Sequence, residues 1–93
     1  MPNIVLKGFI VVPDTDLDVV KNALPEHIEL TRQEPGCLVF EVTPHPTDPN
    51  RFDVYEVFNS TAAFNAHQQR VQQSHWGQVT GRVERQYEVT EQS

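Results

Sequence analysis

Residues Ile4 to Val12 read IVLKGFIVV, a strand-forming run with apolar side chains on both of its alternating faces. Ile4, Leu6, Ile10 and Val12 fall on one face and Val5, Phe9 and Val11 on the other; only Lys7 and Gly8 interrupt them. A strand covered on one side and wetted on the other would alternate apolar with polar, so this one requires cover on both. A layer of helices can cover one face. In a chain of 93 residues, enough for one modest core, the second cover is expected from another copy of the chain. The whole length, residues 1–93, is read as one domain.

After Pro13, the acidic run Asp14-Thr15-Asp16 suits a helix start. Leu17, Val20, Ala23 and Leu24 supply an apolar face, and Ile28 and Leu30 continue it to Glu34. Pro25 cannot donate to the preceding turn and is expected to kink or split this helix. Pro35-Gly36 stops it, because glycine accepts the left-handed turn that ends a helix. Cys37 to Thr43 is the second strand, with Leu38, Phe40 and Val42 on one face and Cys37, Val39, Glu41 and Thr43 on the other. The stiff loop with Pro44, Pro46 and Pro49 suits an antiparallel connection to a strand opened by Arg51.

From Phe52 to His67 the chain reads FDVYEVFNSTAAFNAH and passes from strand through a polar cap into a helix. Phe52, Val54, Glu56 and Phe58 share one strand face. Asn59 and Ser60 offer oxygens to a helix N-terminus, and Ala63, Phe64, His67 and Val71 then share one helical face. Packing the two faces together would set the Glu56 carboxyl against the His67 imidazole in apolar surroundings. The helix is expected to break near Gln72-Gln73, resume through Trp76 and Val79, and end at Gly81. Val83, Arg85, Tyr87 and Val89 mark a last strand, and Glu91 to Ser93 a short frayed tail. Strand, helix, strand, strand, helix, strand is the α+β, ferredoxin-like order, with a four-stranded antiparallel sheet covered by helices on one face.

With 7 basic and 13 acidic residues the formal net charge is −6, which disfavours nucleic acid and anionic membrane surfaces as partners. One cysteine, Cys37, leaves no internal disulfide and no multi-Cys zinc site. The N-terminus has neither the features of a secretory signal nor a run long enough to span a membrane, so a cytoplasmic location is expected.

The segments LPEHIELTRQEPGCLVFEVTP, FDVYEVFNSTAAFNAH and SHWGQV together resemble the antibiotic biosynthesis monooxygenase domain family, and within it small proteins assigned as quinol monooxygenases. The most specific pieces are Glu34-Pro35-Gly36-Cys37, the pair Tyr55-Glu56, and His67 seven residues beyond Ser60. The resemblance implies a homodimeric α/β barrel made when two such sheets face each other. It also implies oxygenation of a hydroquinone or polyphenol with O₂ and no cofactor. A deprotonated hydroquinone can itself pass an electron to O₂, so the protein need supply only a base, an apolar cage and exclusion of water.

His67 is the candidate base, since an imidazole titrates near neutrality. Glu56 is the candidate orienter of His67 or anchor for a substrate hydroxyl, and Arg85 a candidate partner for a buried Glu56. Phe40, Phe64 and Trp76 are read as walls of a slot for an aromatic ring. Each has a plain structural alternative: a core histidine, a pinning ion pair, ordinary core aromatics. Tyr55 faces away from Glu56 and is assigned to the dimer interface. His67 and His75 lack the four-residue spacing of a helical metal pair, so no metal is expected even with Glu56 added. His27 and His45 are read as solvated and Cys37 as structural. Two rival functions use the same residues: an isomerase or tautomerase of a small oxygenated metabolite, and a non-catalytic dimer that binds a small ligand.

Overall fold

The computed structural model describes residues 2–92. Strand β1 (Asn3–Val11) leads through a single 3₁₀ turn (Asp14–Asp16) into helix α1 (Leu17–Arg32). Strands β2 (Cys37–Pro44) and β3 (Arg51–Phe58) follow, then helices α2 (Thr61–Gln72) and α3 (His75–Val79), then strand β4 (Glu84–Gln92). The sheet order is β2-β3-β1-β4 and every neighbouring pair is antiparallel, the ferredoxin-like α+β arrangement the element order implies. The doubly apolar β1 therefore lies inside the sheet, paired on both edges.

Register fixes which residues share a face. Leu6 lies opposite Glu56 and Val89, Gly8 opposite Val54 and Tyr87, and Ile10 opposite Phe52 and Arg85. On β2, Phe40 lies opposite Glu56 and Val42 opposite Val54. These residues form the face that the helices cover. Leu6, Ile10, Phe40, Val42, Phe52 and Val54 are buried there with Val12, Val20 and Val83, and Leu17, Leu24, Ile28, Phe64 and Trp76 close over them. Val5 and Val57 are buried on the opposite face, where the Arg51 guanidinium lies 3.7 Å from the Phe9 ring centre and the Lys7 amine lies over Tyr55.

Pro25 neither splits nor ends α1, which runs unbroken through it. Its ring removes one backbone donor, but Val20, Ala23, His27 and Thr31 bury one continuous stripe on both sides of the proline. Tertiary burial outweighs the lost hydrogen bond. That stripe carries His27 inward, against the expectation of a solvated residue. A second correction concerns β2: its register shifts between Cys37 and Val39, a bulge that turns Leu38 out to 55 % exposure and leaves Cys37 packed against the core. At the C-terminus, Glu91 and Gln92 extend β4 by pairing with Ile4 and Asn3, so this stretch is strand and not a frayed tail; Ser93 lies outside the described residues. Among the described residues, no helix is long and apolar enough to cross a membrane.

The helix boundaries follow their caps. Ser60 Oγ accepts from Ala63 N–H at 3.1 Å and Ser74 Oγ from Gly77 N–H at 3.1 Å. Gly36, at φ +88°, makes the left-handed turn after α1, and its carbonyl accepts from Asn59 N–H at 2.8 Å. Gly8 answers a different demand. A Cβ there would lie 1.9 Å from the Gln86 carbonyl oxygen, backbone that cannot yield without parting β1 from β4. Gly8→Ala should therefore cost about 2 kcal/mol or more in urea unfolding, at the upper end of ordinary overpacking. A variant with the wild-type midpoint would show that β4 does not pair this closely with β1.

Candidate functional site

The covered face of the sheet carries a small half-open cavity of about 60 Å³. Sheet residues on its walls include Leu6, Phe40, Val54 and Glu56, and the helices add His27, His67, Gln68 and Trp76. Arg85 and Tyr87 of β4 line its solvent side, Tyr87 being 41 % exposed. The strand–cap–helix stretch thus brings Glu56 and His67 together as their positions imply. His67 Nε2 lies 3.7 Å from Glu56 Oε1, and the two residues are 3 % and 6 % exposed.

The hydrogen bond that orients His67 comes from Glu34, not Glu56. His67 Nδ1 lies 3.1 and 3.0 Å from the two Glu34 carboxylate oxygens. The proton of a neutral imidazole therefore belongs on Nδ1, donated to Glu34, and the Nε2 lone pair faces Glu56. Arg70, one turn further along α2, donates from Nε to Glu34 Oε2 at 2.5 Å and from Nη2 to Thr31 Oγ1 at 2.9 Å. Thr31 Oγ1 in turn donates to the His27 carbonyl at 2.8 Å. The chain of bonds from His27 through Thr31, Arg70 and Glu34 to His67 is satisfied at each link.

The aromatic candidates divide. Phe40 and Trp76 line the cavity, whereas Phe64 packs on Phe58 with ring centres 5.9 Å apart, and Phe58 rather than Phe64 touches the His67 ring, at 5.0 Å. Arg85 is not bonded to Glu56; its Nη2 donates to the Thr80 carbonyl at 3.0 Å and to Thr80 Oγ1 at 3.2 Å. His27 stacks on Trp76 with ring centres 4.6 Å apart and planes 5° from parallel. Glu34, Arg70 and His27 are the residues that sequence reasoning missed. Their signals were position: Glu34 directly after α1, Arg70 three residues beyond His67, and His27 in phase with Val20, Ala23 and Thr31. Cys37 keeps its thiol protonated, burial and then the Glu34 charge raising its pKa. Among the described residues, no group of three or more His, Cys, Asp or Glu is placed to hold a metal ion.

Burial, and after it the Glu34 charge, pushes Glu56 up from 4.5 to about 7. Burial pulls His67 below its ordinary value, opposed by the Glu34 hydrogen bond and charge and reinforced by Arg70. Burial, then the charges of His67 and Arg70, bring His27 down from 6.5 to about 3. Near neutral pH the cavity thus holds two neutral imidazoles and a half-protonated carboxyl, a set able to exchange one proton with a ligand.

These shifts have opposite consequences for stability. Between pH 4.5 and about 7 the folded chain keeps a proton on Glu56 that the unfolded chain has lost. Its contribution is therefore full below pH 4.5 and disappears as pH rises through 7. His27 is neutral when folded but protonated when unfolded below pH 6.5, so its contribution is lost as pH falls from there toward 3. Glu56→Gln should remove the first slope. Relative to wild type, its unfolding free energy should climb with pH by about 1.4 kcal/mol per unit across that window. Urea midpoints at several pH values check this, and parallel curves for the two proteins would place Glu56 in a water-like setting.

A sequence profile described as antibiotic biosynthesis monooxygenase matches residues 4–78. Among curated protein sequences, none matches the chain. Several solved structures share the fold. A Bacteroides thetaiotaomicron protein provisionally named an antibiotic biosynthesis monooxygenase is 24 % identical with a TM-score of 0.79, covering 98 % of this chain and 88 % of its own. A second protein from the same organism, described as of unknown function and a possible oxidoreductase, is 22 % identical with a TM-score of 0.75, covering 97 % of each chain. A Nitrosomonas europaea protein, provisionally named an antibiotic biosynthesis monooxygenase, is 18 % identical with a TM-score of 0.72, covering 100 % of this chain and 97 % of its own. At such identities the structures establish the shared fold, while the profile spans β1 through most of α3, and the chain belongs to the antibiotic biosynthesis monooxygenase family.

Proposed function

We propose that the chain is an oxygenase that oxidises a hydroquinone or polyphenol with O₂, using His67 as the base and requiring no cofactor. One observation carries this reading: a buried imidazole fixed by Glu34 at Nδ1, with Nε2 free beside a cavity. Nε2 takes the proton of a phenolic hydroxyl, and the phenolate passes one electron to O₂. Recombination of the two radicals forms a carbon–oxygen bond, and cleavage of the O–O bond releases water. One hydroquinone and one O₂ give one hydroxyquinone and one H₂O. Glu56, half-protonated near neutral pH, is placed to share the transferred proton with His67 across their 3.7 Å gap. Phe40 and Trp76 keep the reacting edge dry.

Oxygen uptake by the metal-stripped protein against a panel of dihydroxybenzenes tests the reading. Uptake should exceed autoxidation, give a product heavier by one oxygen and lighter by two hydrogens, and fall by about 10²–10⁴-fold in His67→Ala, the usual share of a general base. Undiminished uptake in that variant would remove His67 from the chemistry. The same acid–base pair suits a tautomerase, the observation in its favour being the half-protonated Glu56 opposite a neutral imidazole. Isomerisation of an enol or hydroxyketone without oxygen uptake would identify that activity. A purely structural pair is less well supported, because open space adjoins His67.

We also read the outer sheet face as the contact surface of a homodimer. Phe9, Val11, Val39 and Tyr55 are half-buried there, around the buried Val5 and Val57. Sedimentation equilibrium should return twice the 10.6 kDa chain mass. A monomer at micromolar concentration would leave that face to the cations that already lie over Phe9 and Tyr55.

A further inference from the structure

The cavity beside His67 carries a second imidazole that the base chemistry leaves unused. His27 is 5 % exposed, and its Nδ1 has no hydrogen-bond partner among the described residues. On the same cavity, Glu56 Oε1 is buried and equally unpartnered. Buried polar atoms in folded proteins nearly always find partners, so two orphans around one small space mark a place where a polar ligand belongs. Packing alone does not account for the imidazole. An apolar side chain would fill the gap between Phe40, 5.3 Å away edge-on, and Trp76 without burying a bare nitrogen. The stack on Trp76 also holds the ring in one orientation, as a binding group must be held. At neutral pH the ring is uncharged, so it gives and takes hydrogen bonds without competing with His67 for the proton.

Size decides which ligand satisfies both orphans. The cavity volume of about 60 Å³ is well under the roughly 150 Å³ that admits a whole benzene ring. Only one edge of an aromatic ring enters, and its remainder lies toward Arg85 and Tyr87. The His27 and His67 ring centres are 6.1 Å apart. Oxygens on adjacent ring carbons both lie on the entering edge, one toward each imidazole. Oxygens across the ring from each other would require the whole ring to sit between the histidines, where there is no room for it.

We propose that His27 is the second oxygen-binding residue of this pocket and that its preferred ligand is a vicinal dihydroxy compound of the catechol type. One hydroxyl lies between His67 Nε2 and Glu56, and the other bonds to His27. The assignment rests on reading the cavity as the substrate site, and narrows the substrate from polyphenols in general to those with adjacent hydroxyls.

Isothermal titration calorimetry under nitrogen, where no turnover occurs, tests it with three probes: catechol, 1,4-dihydroxybenzene and phenol. Wild-type protein should bind catechol about tenfold tighter than either of the others, the size of one neutral hydrogen bond. In His27→Leu that advantage should disappear while phenol affinity changes by less than about twofold, and His27→Gln, which keeps a hydrogen-bonding group, should recover part of it. Equal affinity for catechol and phenol in the wild type would overturn the proposal without recourse to any variant. So would a catechol preference that survives in His27→Leu. If neither result favours catechol but oxygen uptake still depends on His67, the His27 assignment fails and the oxygenase reading stands. If none of the three probes binds the wild type, both fall together.

Discussion

One carboxylate holds the helical layer to itself and sets the chemistry beneath it. Glu34, just past the end of α1, accepts hydrogen bonds from His67 and Arg70 on α2, while Arg70 reaches back to Thr31 on α1. The two longest helices are thus tied by a bidentate use of one side chain in a poorly hydrated place. Glu34 and Arg70 keep side-chain exposures of 14 % and 30 %, so removing one of them costs less than the roughly 3–5 kcal/mol of a fully buried pair. Glu34 also fixes the tautomer of His67, because Nδ1 can only donate to a carboxylate, and this leaves Nε2 as the acceptor.

The same carboxylate explains why a second one, Glu56, differs from it. Glu34 has charged and hydrogen-bonding partners on two sides; Glu56 has apolar neighbours, an imidazole 3.7 Å away and no hydrogen bond to Oε1. Burial raises its pKa, and the Glu34 charge raises it further, to about 7. Of the two carboxyl groups on opposite sides of one imidazole, Glu34 is taken up by hydrogen bonds from His67 and Arg70, while burial holds Glu56 above the ordinary carboxylate range. Exchanging their environments would exchange their roles. The distinction lies in the partners and not in the residue type.

That dependence on partners marks how far the sequence could be read. Period-two and helical patterns carried the element order, the helix cap at Ser60, the break between the two later helices, and the meeting of Glu56 with His67, because each is a local property that tertiary packing reinforced. What failed was phase. Treating Pro25 as a break discarded the seven-residue step from Val20 to His27, and with it the inward direction of the imidazole. Treating β2 as regular hid the bulge that expels Leu38 and draws in Cys37. Glu34 was visible only as part of a helix stop and of the family-like run Glu34-Pro35-Gly36-Cys37, neither of which gives it a partner. No local pattern says that a residue ending one helix will meet the side chains of another more than thirty positions later.

Arg85 shows the same limit and leads to the least supported wall of the site. Charge alone suggested a counter-ion for Glu56, yet its guanidinium instead binds Thr80, whose hydroxyl donates to the Trp76 carbonyl at 2.6 Å. Trp76 belongs to a helix of five residues, too short to be stable by itself, and is held from one side by the Ser74 cap and from the other through Thr80 by β4. Every residue of β4 is exposed, so this edge strand has little packing of its own beyond its ladder with β1. Trp76 and the His27 ring stacked on it are therefore anchored, through Thr80 and Arg85, to the least buried strand of the sheet.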